Sequence, residues 1–144
     1  REIDWKDRRA ATPQGSRSGD ILATNCSPTP GSDKKGPTSA INSYCKLDFT
    51  RMPNGGTLEL KILPQSVEGE NGINALMSLT KTFRKRGGFY MHVDVVDSSL
   101  LIDAQMHPEK YPNLPVRVAG WSARFNTLEK DWQDMIIQRT QQIV

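Results

Sequence analysis

Two short alternating runs with an amphipathic segment between them constrain this chain more than anything else in it. Thr57-Leu58-Glu59-Leu60-Lys61-Ile62 alternates with period two, which puts Leu58, Leu60 and Ile62 on one face of a strand that Pro64 stops. Ile73, Leu76, Met77, Thr80 and Phe83 recur at helical spacing and predict a helix over residues 71–86, with Gly87-Gly88 supplying a left-handed stop. The run from Phe89 to Val96 is the strongest strand, with Phe89, Met91, Val93 and Val95 on one face and Tyr90, His92 and Asp94 on the other. Before these, Pro37 opens a helix whose apolar side carries Ala40, Ile41, Tyr44 and Cys45. After them, Asp97 caps a short helix bearing Leu100, Leu101 and Ala104, which ends at His107-Pro108. A strand over residues 116–119 follows. Asn126 then reads as the N-cap of a terminal helix, with Glu129 completing a capping box and Leu128, Trp132, Met135, Ile136 and Ile143 on its apolar face. Strands and helices in this order make the class α/β.

Residues 1–36 carry turn chemistry instead of periodicity, with Ile21 and Leu22 isolated between irregularly spaced Gly and Pro. They read as an ordered loop lying against another surface. At 144 residues the chain suffices for one domain, but 36% hydrophobic residues and a mean hydropathy of −0.56 imply a lean core or a piece that packs on something larger. It begins at Arg1, with a charged opening segment that starts no element, and so reads as a fragment or a product of processing. The formal charge of +3 is spread among interspersed acids, which argues against a nucleic-acid partner. The one basic cluster, Lys81, Arg84, Lys85 and Arg86, falls in the last turn of a helix, where cations complement the carbonyl end. Its other reading is a docking surface for an acidic partner. Two cysteines in no metal spacing, no leader and no membrane-length apolar run point to a reducing, cytoplasmic setting with no membrane partner.

Conventional catalytic side chains are thinly represented. His92 and Asp94 share a strand face without a third member and read as a satisfied polar pair at a sheet surface. His107 reads as a helix-end residue, and Asp94, Asp97 and Asp103 do not make a calcium loop. Cys26 has no histidine near it in sequence, and Cys45 reads as a small buried hydrophobe. No nucleophile elbow, P-loop or dinucleotide fingerprint is present. The remaining feature is Val116-Arg117-Val118-Ala119-Gly120-Trp121-Ser122-Ala123-Arg124-Phe125-Asn126. It delivers one glycine from a β-branched run to an aromatic, with arginines on both sides. Read as structure, it is a strand delivering Gly120 to a turn braced by Trp121 and Phe125; read as chemistry, it is a backbone position without a side chain, held tightly and screened from solvent.

Residues 117–126 closely resemble the glycyl radical signature of the pyruvate formate-lyase-like glycyl radical enzymes, in which Arg-Val-(Ser/Ala)-Gly-Tyr is followed by an aromatic. The resemblance extends to Asp103-Ala104-Gln105 and His107 to Tyr111 before the motif, and to Gln133-Asp134, Ile136-Ile137 and Arg139-Thr140 after it. More loosely, Ala11 to Gly15, Ser27-Pro28 to Gly31 and Gly36-Pro37-Thr38 resemble the last part of the family's catalytic barrel. The resemblance implies that residues 1–56 end the α/β barrel and that residues 57–144 form the glycyl radical domain, with the radical loop and the terminal helix.

It further implies that Gly120 stores a backbone radical as a protein-derived cofactor. A radical-SAM activating enzyme, bringing an iron–sulfur cluster and S-adenosylmethionine, would install it. Arg117, Val118, Trp121, Ser122 and Phe125 would shape the loop. The radical would pass to a cysteine thiyl on the rest of the enzyme, which attacks a small-molecule substrate. Trp121 stands where tyrosine is usual. Neither Cys26 nor Cys45 matches the family's thiyl segment, so the chain is not expected to turn over alone. The reaction implied is lyase-type cleavage of a C–C, C–O or C–N bond, such as arylacetate decarboxylation or elimination from a diol or amino alcohol, although hydrocarbon addition to fumarate also occurs in the family. The alternatives are a free-standing replacement subunit for a damaged enzyme, which residues 11–56 argue against, and an α/β interaction module in which Gly120 is only a turn.

Overall fold

The computed structural model describes residues 3–13, 15–118, 120–139 and 141–144. Ala119, expected from the sequence at the end of a strand, lies outside the described residues, as does Thr140. Helix α1 spans Pro37–Tyr44 and strand β1 Thr57–Ile62. They are followed by α2 (Gly69–Lys85), β2 (Tyr90–Val95) and α3 (Ser98–Met106). A hairpin of β3 (Pro115–Arg117) and β4 (Ser122–Arg124) comes next, then α4 (Lys130–Gln138) and the two-residue strand β5 (Gln141–Gln142).

β1 and β2 pair in parallel along their whole length, from Thr57 opposite Tyr90 to Ile62 opposite Val95, with α2 as the crossover between them. β5 joins the other edge of β1, also parallel, so β1 is central in the order β2-β1-β5. β5 covers only the C-terminal half of that edge. The N-terminal half is taken by the early loop: the amide of Cys26 donates to the Thr57 carbonyl at 3.1 Å, and the amide of Glu59 donates to Ser27 Oγ at 2.8 Å. The Gly- and Pro-rich opening thus acts as a substitute strand, while Ile21 packs under the C-terminal half of the molecule.

Alternation along β1 separates two environments. Leu58, Leu60 and Ile62 are buried against Ala40, Ile41 and Tyr44 of α1 and Leu79 and Phe83 of α2. A second core lies under the C-terminal elements and contains Leu101, Ala104, Val116, Val118, Phe125, Met135 and Ile136. Glu59 and Lys61 alternate to the β1 face that meets those elements. Lys61 is only 3% exposed, and its ammonium donates to Ser98 Oγ at 2.8 Å and to the carbonyls of Ile136 and Ile137 at 3.3 and 3.0 Å. Those carbonyls end α4, so the cation sits where the helix dipole favours it. Burial, reinforced by the nearby Arg139 charge, still pulls the Lys61 pKa down to about 8.

Most element types follow the sequence pattern, and the departures have local causes. Pro37 sits in the first turn of α1, and Gly87, at φ +77°, ends α2 with the Gly88 amide donating to the Phe83 carbonyl. Arg84 and Lys85 occupy the last turn of α2 as expected. The buried side of α2 is rotated from the expected one, however. Leu79 and Phe83 are buried, whereas Ile73 and Met77 are exposed. Asn126 is not an N-cap: a 3-10 turn over Phe125–Thr127 intervenes, and α4 starts at Lys130 after Glu129, which makes no side-chain cap bond. Ile143 is exposed and lies beyond β5, off the terminal helix altogether.

The Lys61 environment fixes a pH dependence. A lysine whose folded pKa is below its unfolded value penalises folding at neutral pH, and the penalty is relieved as pH rises from about 8 to 10.5. The stability difference between Lys61→Met and wild type should therefore shift in favour of wild type by about 3 kcal/mol across that window, at ~1.4 kcal/mol per pKa unit. Thermal melts of both proteins from pH 7 to 10.5 measure it, and parallel Tm profiles would remove the buried charge from the account.

Candidate functional site

The β3–β4 hairpin displays Gly120 at its tip. Pro115 pairs with Arg124, Val116 with Ala123 and Arg117 with Ser122, and the amide of Val118 donates to the Trp121 carbonyl at 2.9 Å. The β-branched residues Val116 and Val118 are buried below the loop, as is Phe125 just after it, so the tip is set by an apolar anchor at each end. The Phe125 amide also donates to the Leu114 carbonyl at 2.8 Å, which ties the exit of the hairpin to its entry.

Gly120 has φ +88°, a backbone conformation that L side chains rarely adopt, and among the described residues no atom beyond its chain neighbours lies within 4 Å of where a Cβ would stand. Its carbonyl is held: Arg117 Nη2 donates to it at 2.8 Å, while Arg117 Nη1 donates to Ser122 Oγ at 3.3 Å. Arg117 and Ser122 are thus bonded at the hairpin tip, and Val118 and Phe125 are buried at its flanks. One expectation is corrected: the Trp121 side chain is half-exposed and is not among the residues packed in the second core. Gly120 itself is exposed within this chain. The aromatic that does brace the loop is Phe125.

The ties from the hairpin to the rest of the fold come from polar residues whose roles the pattern did not disclose. Asn126 Nδ2 donates to the carbonyls of Pro108 and Tyr111, at 2.9 and 2.7 Å. The Tyr111 hydroxyl donates to Asp103 at 2.6 Å, a bond that lowers the Asp103 pKa and raises that of Tyr111. Gln133 Nε2 on α4 donates to the carbonyls of Phe125 and Leu128. Arg139, the residue after α4, donates from Nη1 to the Arg117 carbonyl at 2.9 Å and from Nη2 to the Val118 carbonyl.

The other side of that guanidinium meets acids of the sheet. Nη2 lies 3.3 Å from Glu59 Oε2 on β1, and Nη1 lies 3.9 Å from Asp94 Oδ2 on β2. His92 Nε2 stands 3.6 Å from Asp94. The pair read as sheet-surface residues thus belongs to a part-buried charged layer between sheet and hairpin. A signal for this layer was present: in the parallel register Glu59 faces His92 and Lys61 faces Asp94, a polar face too charged to be left without an opposing cation. The cysteines are elsewhere. Cys26 and Cys45 pack against the core under α1 and α2, not the core that carries the hairpin.

With this arrangement in view, the relatives are informative. A family model described as "Glycine radical" matches residues 22–126, ending just past the hairpin. The chain belongs to the glycine radical family. It is 39% identical over 135 residues to a probable dehydratase of Escherichia coli strain K12, YbiW, covering 93% of this chain and 17% of that protein. It is 37% identical over 133 residues to trans-4-hydroxy-L-proline dehydratase of Clostridioides difficile, covering 92% of this chain and 17% of the relative. Among solved structures, the glycerol-bound B12-independent glycerol dehydratase of Clostridium butyricum superposes with a TM-score of 0.95 at 40% identity, over 99% of this chain and 18% of that one. The chain thus spans less than a fifth of these relatives, and corresponds to the C-terminal portion of pyruvate formate-lyase-like glycyl radical enzymes. A glycyl radical domain brings with it a protein-derived radical cofactor. No helix among the described residues is long and apolar enough to cross a membrane.

Phe125 is the mechanical centre of the site. Phe125→Ala leaves a hole in the second core where a fully buried ring stood, and should cost about 3–5 kcal/mol. Trp121→Ala, which removes an exposed ring, should cost under about 0.5 kcal/mol. Thermal or denaturant unfolding of the two variants checks the contrast.

Proposed function

We propose that Gly120 stores the backbone radical and that it powers lyase-type chemistry on a small molecule through a cysteine outside this chain. The observation that carries the reading is the tip geometry: a glycine at positive φ, with open space on its Cα and its carbonyl fixed by Arg117. An unpaired electron on a glycine Cα spreads over the adjoining amide nitrogen and carbonyl only if the centre is planar, and a side chain would obstruct that. Arg117 holds one of those two groups in place. The hairpin's buried flanks keep the frame rigid while the carbon itself stays reachable.

Two hydrogen transfers follow. A radical-SAM activating enzyme, with its iron–sulfur cluster and S-adenosylmethionine, removes one hydrogen atom from Gly120 Cα. The Cα radical then takes a hydrogen atom from a cysteine thiol, which restores the glycine Cα–H bond and leaves a thiyl radical to attack substrate. That cysteine belongs to the remainder of the enzyme, because neither Cys26 nor Cys45 packs on the hairpin's side of the sheet. Residues 1–56 then close the catalytic barrel and residues 57–144 carry the radical. The chain alone does not turn over.

The relatives support lyase-type chemistry in general, and cleavage of a C–O, C–N or C–C bond is the narrower form proposed here. Besides the two dehydratases they include an indoleacetate decarboxylase of Tractidigestivibacter scatoligenes, 39% identical over 132 residues. Elimination from a diol or amino alcohol, or arylacetate decarboxylation, is the reaction class that fits. The cytoplasm is the fitting compartment for such oxygen-sensitive chemistry.

Anaerobic incubation of the complete enzyme with a competent activating enzyme should produce a glycyl doublet in the EPR spectrum. Gly120→Ala should abolish it, and a cooperative thermal melt of the variant shows that the loss is not unfolding: within this chain the added methyl meets no other side chain among the described residues, and the strained backbone conformation costs about 1–3 kcal/mol. Air admitted after activation should cleave the chain near Gly120, read by intact mass. A doublet that survives Gly120→Ala would move the radical elsewhere, and no doublet with several activators would leave Gly120 as a turn.

A further inference from the structure

The charged layer beneath the hairpin has an arrangement that radical storage by itself does not require. Arg139 is 12% exposed at its side chain and is used on both sides. One side donates to two consecutive carbonyls, those of Arg117 and Val118, at the entry to the Gly120 loop. The other meets Glu59 and Asp94, one from each of the two fully paired strands of the sheet. A planar fork with five donors can bridge four acceptors in this way, which a lysine cannot. Glu59, 6% exposed at its side chain, is itself steadied by Asn25 Nδ2 at 3.0 Å. Arg139 stands at the end of α4, immediately before the segment that becomes β5, and so cannot drift without disturbing the sheet edge.

We infer that Arg139 is a positioning residue that latches the Gly120 hairpin to the parallel sheet. Through that latch it sets the balance between installing the radical and using it. The inference rests on the reading of Gly120 above. On that reading two partners act in turn on the same carbon: a separate protein takes its hydrogen, and a cysteine fixed in the enzyme returns one. A hairpin held loosely is easier for a separate protein to engage and worse at meeting a fixed thiol. The latch therefore pushes the two steps in opposite directions. Val116 and Val118 hold the base of the hairpin by packing, but packing tolerates small sliding, whereas two directed bonds to successive carbonyls fix the height of the loop above the sheet.

Hydrogen exchange of the complete, unactivated enzyme tests the latch without any radical. In Arg139→Lys, amides across residues 116–125 should exchange at least ten-fold faster, while those of β1 and β2 keep their wild-type protection. With the activating enzyme present, the EPR doublet should grow at least three-fold faster, and turnover per glycyl radical should fall at least three-fold. Unchanged hairpin exchange, an equal rise in the sheet, or a parallel fall in radical formation and turnover would each overturn the latch. Glu59→Gln removes one charge from behind the fork and leaves Arg139 in place, so it serves if Arg139→Lys does not fold. Its hairpin exchange should rise two- to three-fold, and no rise would count equally against the inference. If the wild-type enzyme forms no doublet at all, the reading of Gly120 fails, and the exchange data still decide whether Arg139 holds the hairpin.

Discussion

A strand that turns a glutamate and a lysine towards the protein interior must find partners for both, and much of this structure follows from that requirement. Glu59 and Lys61 alternate with Leu58, Leu60 and Ile62 on the central strand, so an apolar face and a charged face are inseparable. The apolar face is met by α1 and α2. The charged face is met by the end of α4, whose last carbonyls take the Lys61 ammonium, and by Arg139, which takes Glu59. Unpaired, such charges would cost several kcal/mol each on burial. The C-terminal elements are therefore held over the sheet in one place, and the hairpin with its glycine is held with them.

That arrangement explains which parts of the fold could be read from the sequence. Elements whose identity depends on local pattern were legible: the alternation in residues 57–62, the Pro37 helix start and the Gly87 stop are each dictated by a few neighbouring residues. Contacts made at long range were not. Asn126 three residues before Glu129 has the form of a capping box, but its amide is drawn to the carbonyls of Pro108 and Tyr111, fifteen or more residues away in sequence. The buried side of α2 depends on where α1 and β1 lie, so Leu79 is inside and Met77 outside despite similar hydrophobicity.

The site shows the same division. The signature around Gly120 is compact in sequence, and Arg117, Gly120 and Ser122 do meet at the tip of one hairpin. Trp121 beside a glycine has the form of a brace, but it sits in the turn before β4 with its ring half-exposed, while Phe125 is fully buried. In the sequence Arg139 is marked only by the resemblance of Arg139-Thr140 to the family's terminal helix, which names no partner for it. Only the register that sets Glu59 beside His92 and Lys61 beside Asp94 reveals a charged layer with a vacancy for a guanidinium.

The exposure of Gly120 follows from the same division of labour. This chain supplies the frame of the loop: an anchor at each flank, a guanidinium on its carbonyl and a second one below it. It supplies no cover. Among the described residues, none beyond its chain neighbours comes within 4 Å of where a Gly120 Cβ would stand, and the ring of Trp121 is half-exposed. A carbon-centred radical left in that setting would be open to solvent and oxygen, so storage requires a lid from elsewhere. The superposed glycerol dehydratase contains more than four-fifths of its length beyond the region matched here. On the proposed reading, protection and reactivity are supplied together by that remainder, since whatever covers the hairpin also brings the thiol to it. A loop framed rigidly from below and covered from above can be shielded in one position and reached in another without refolding.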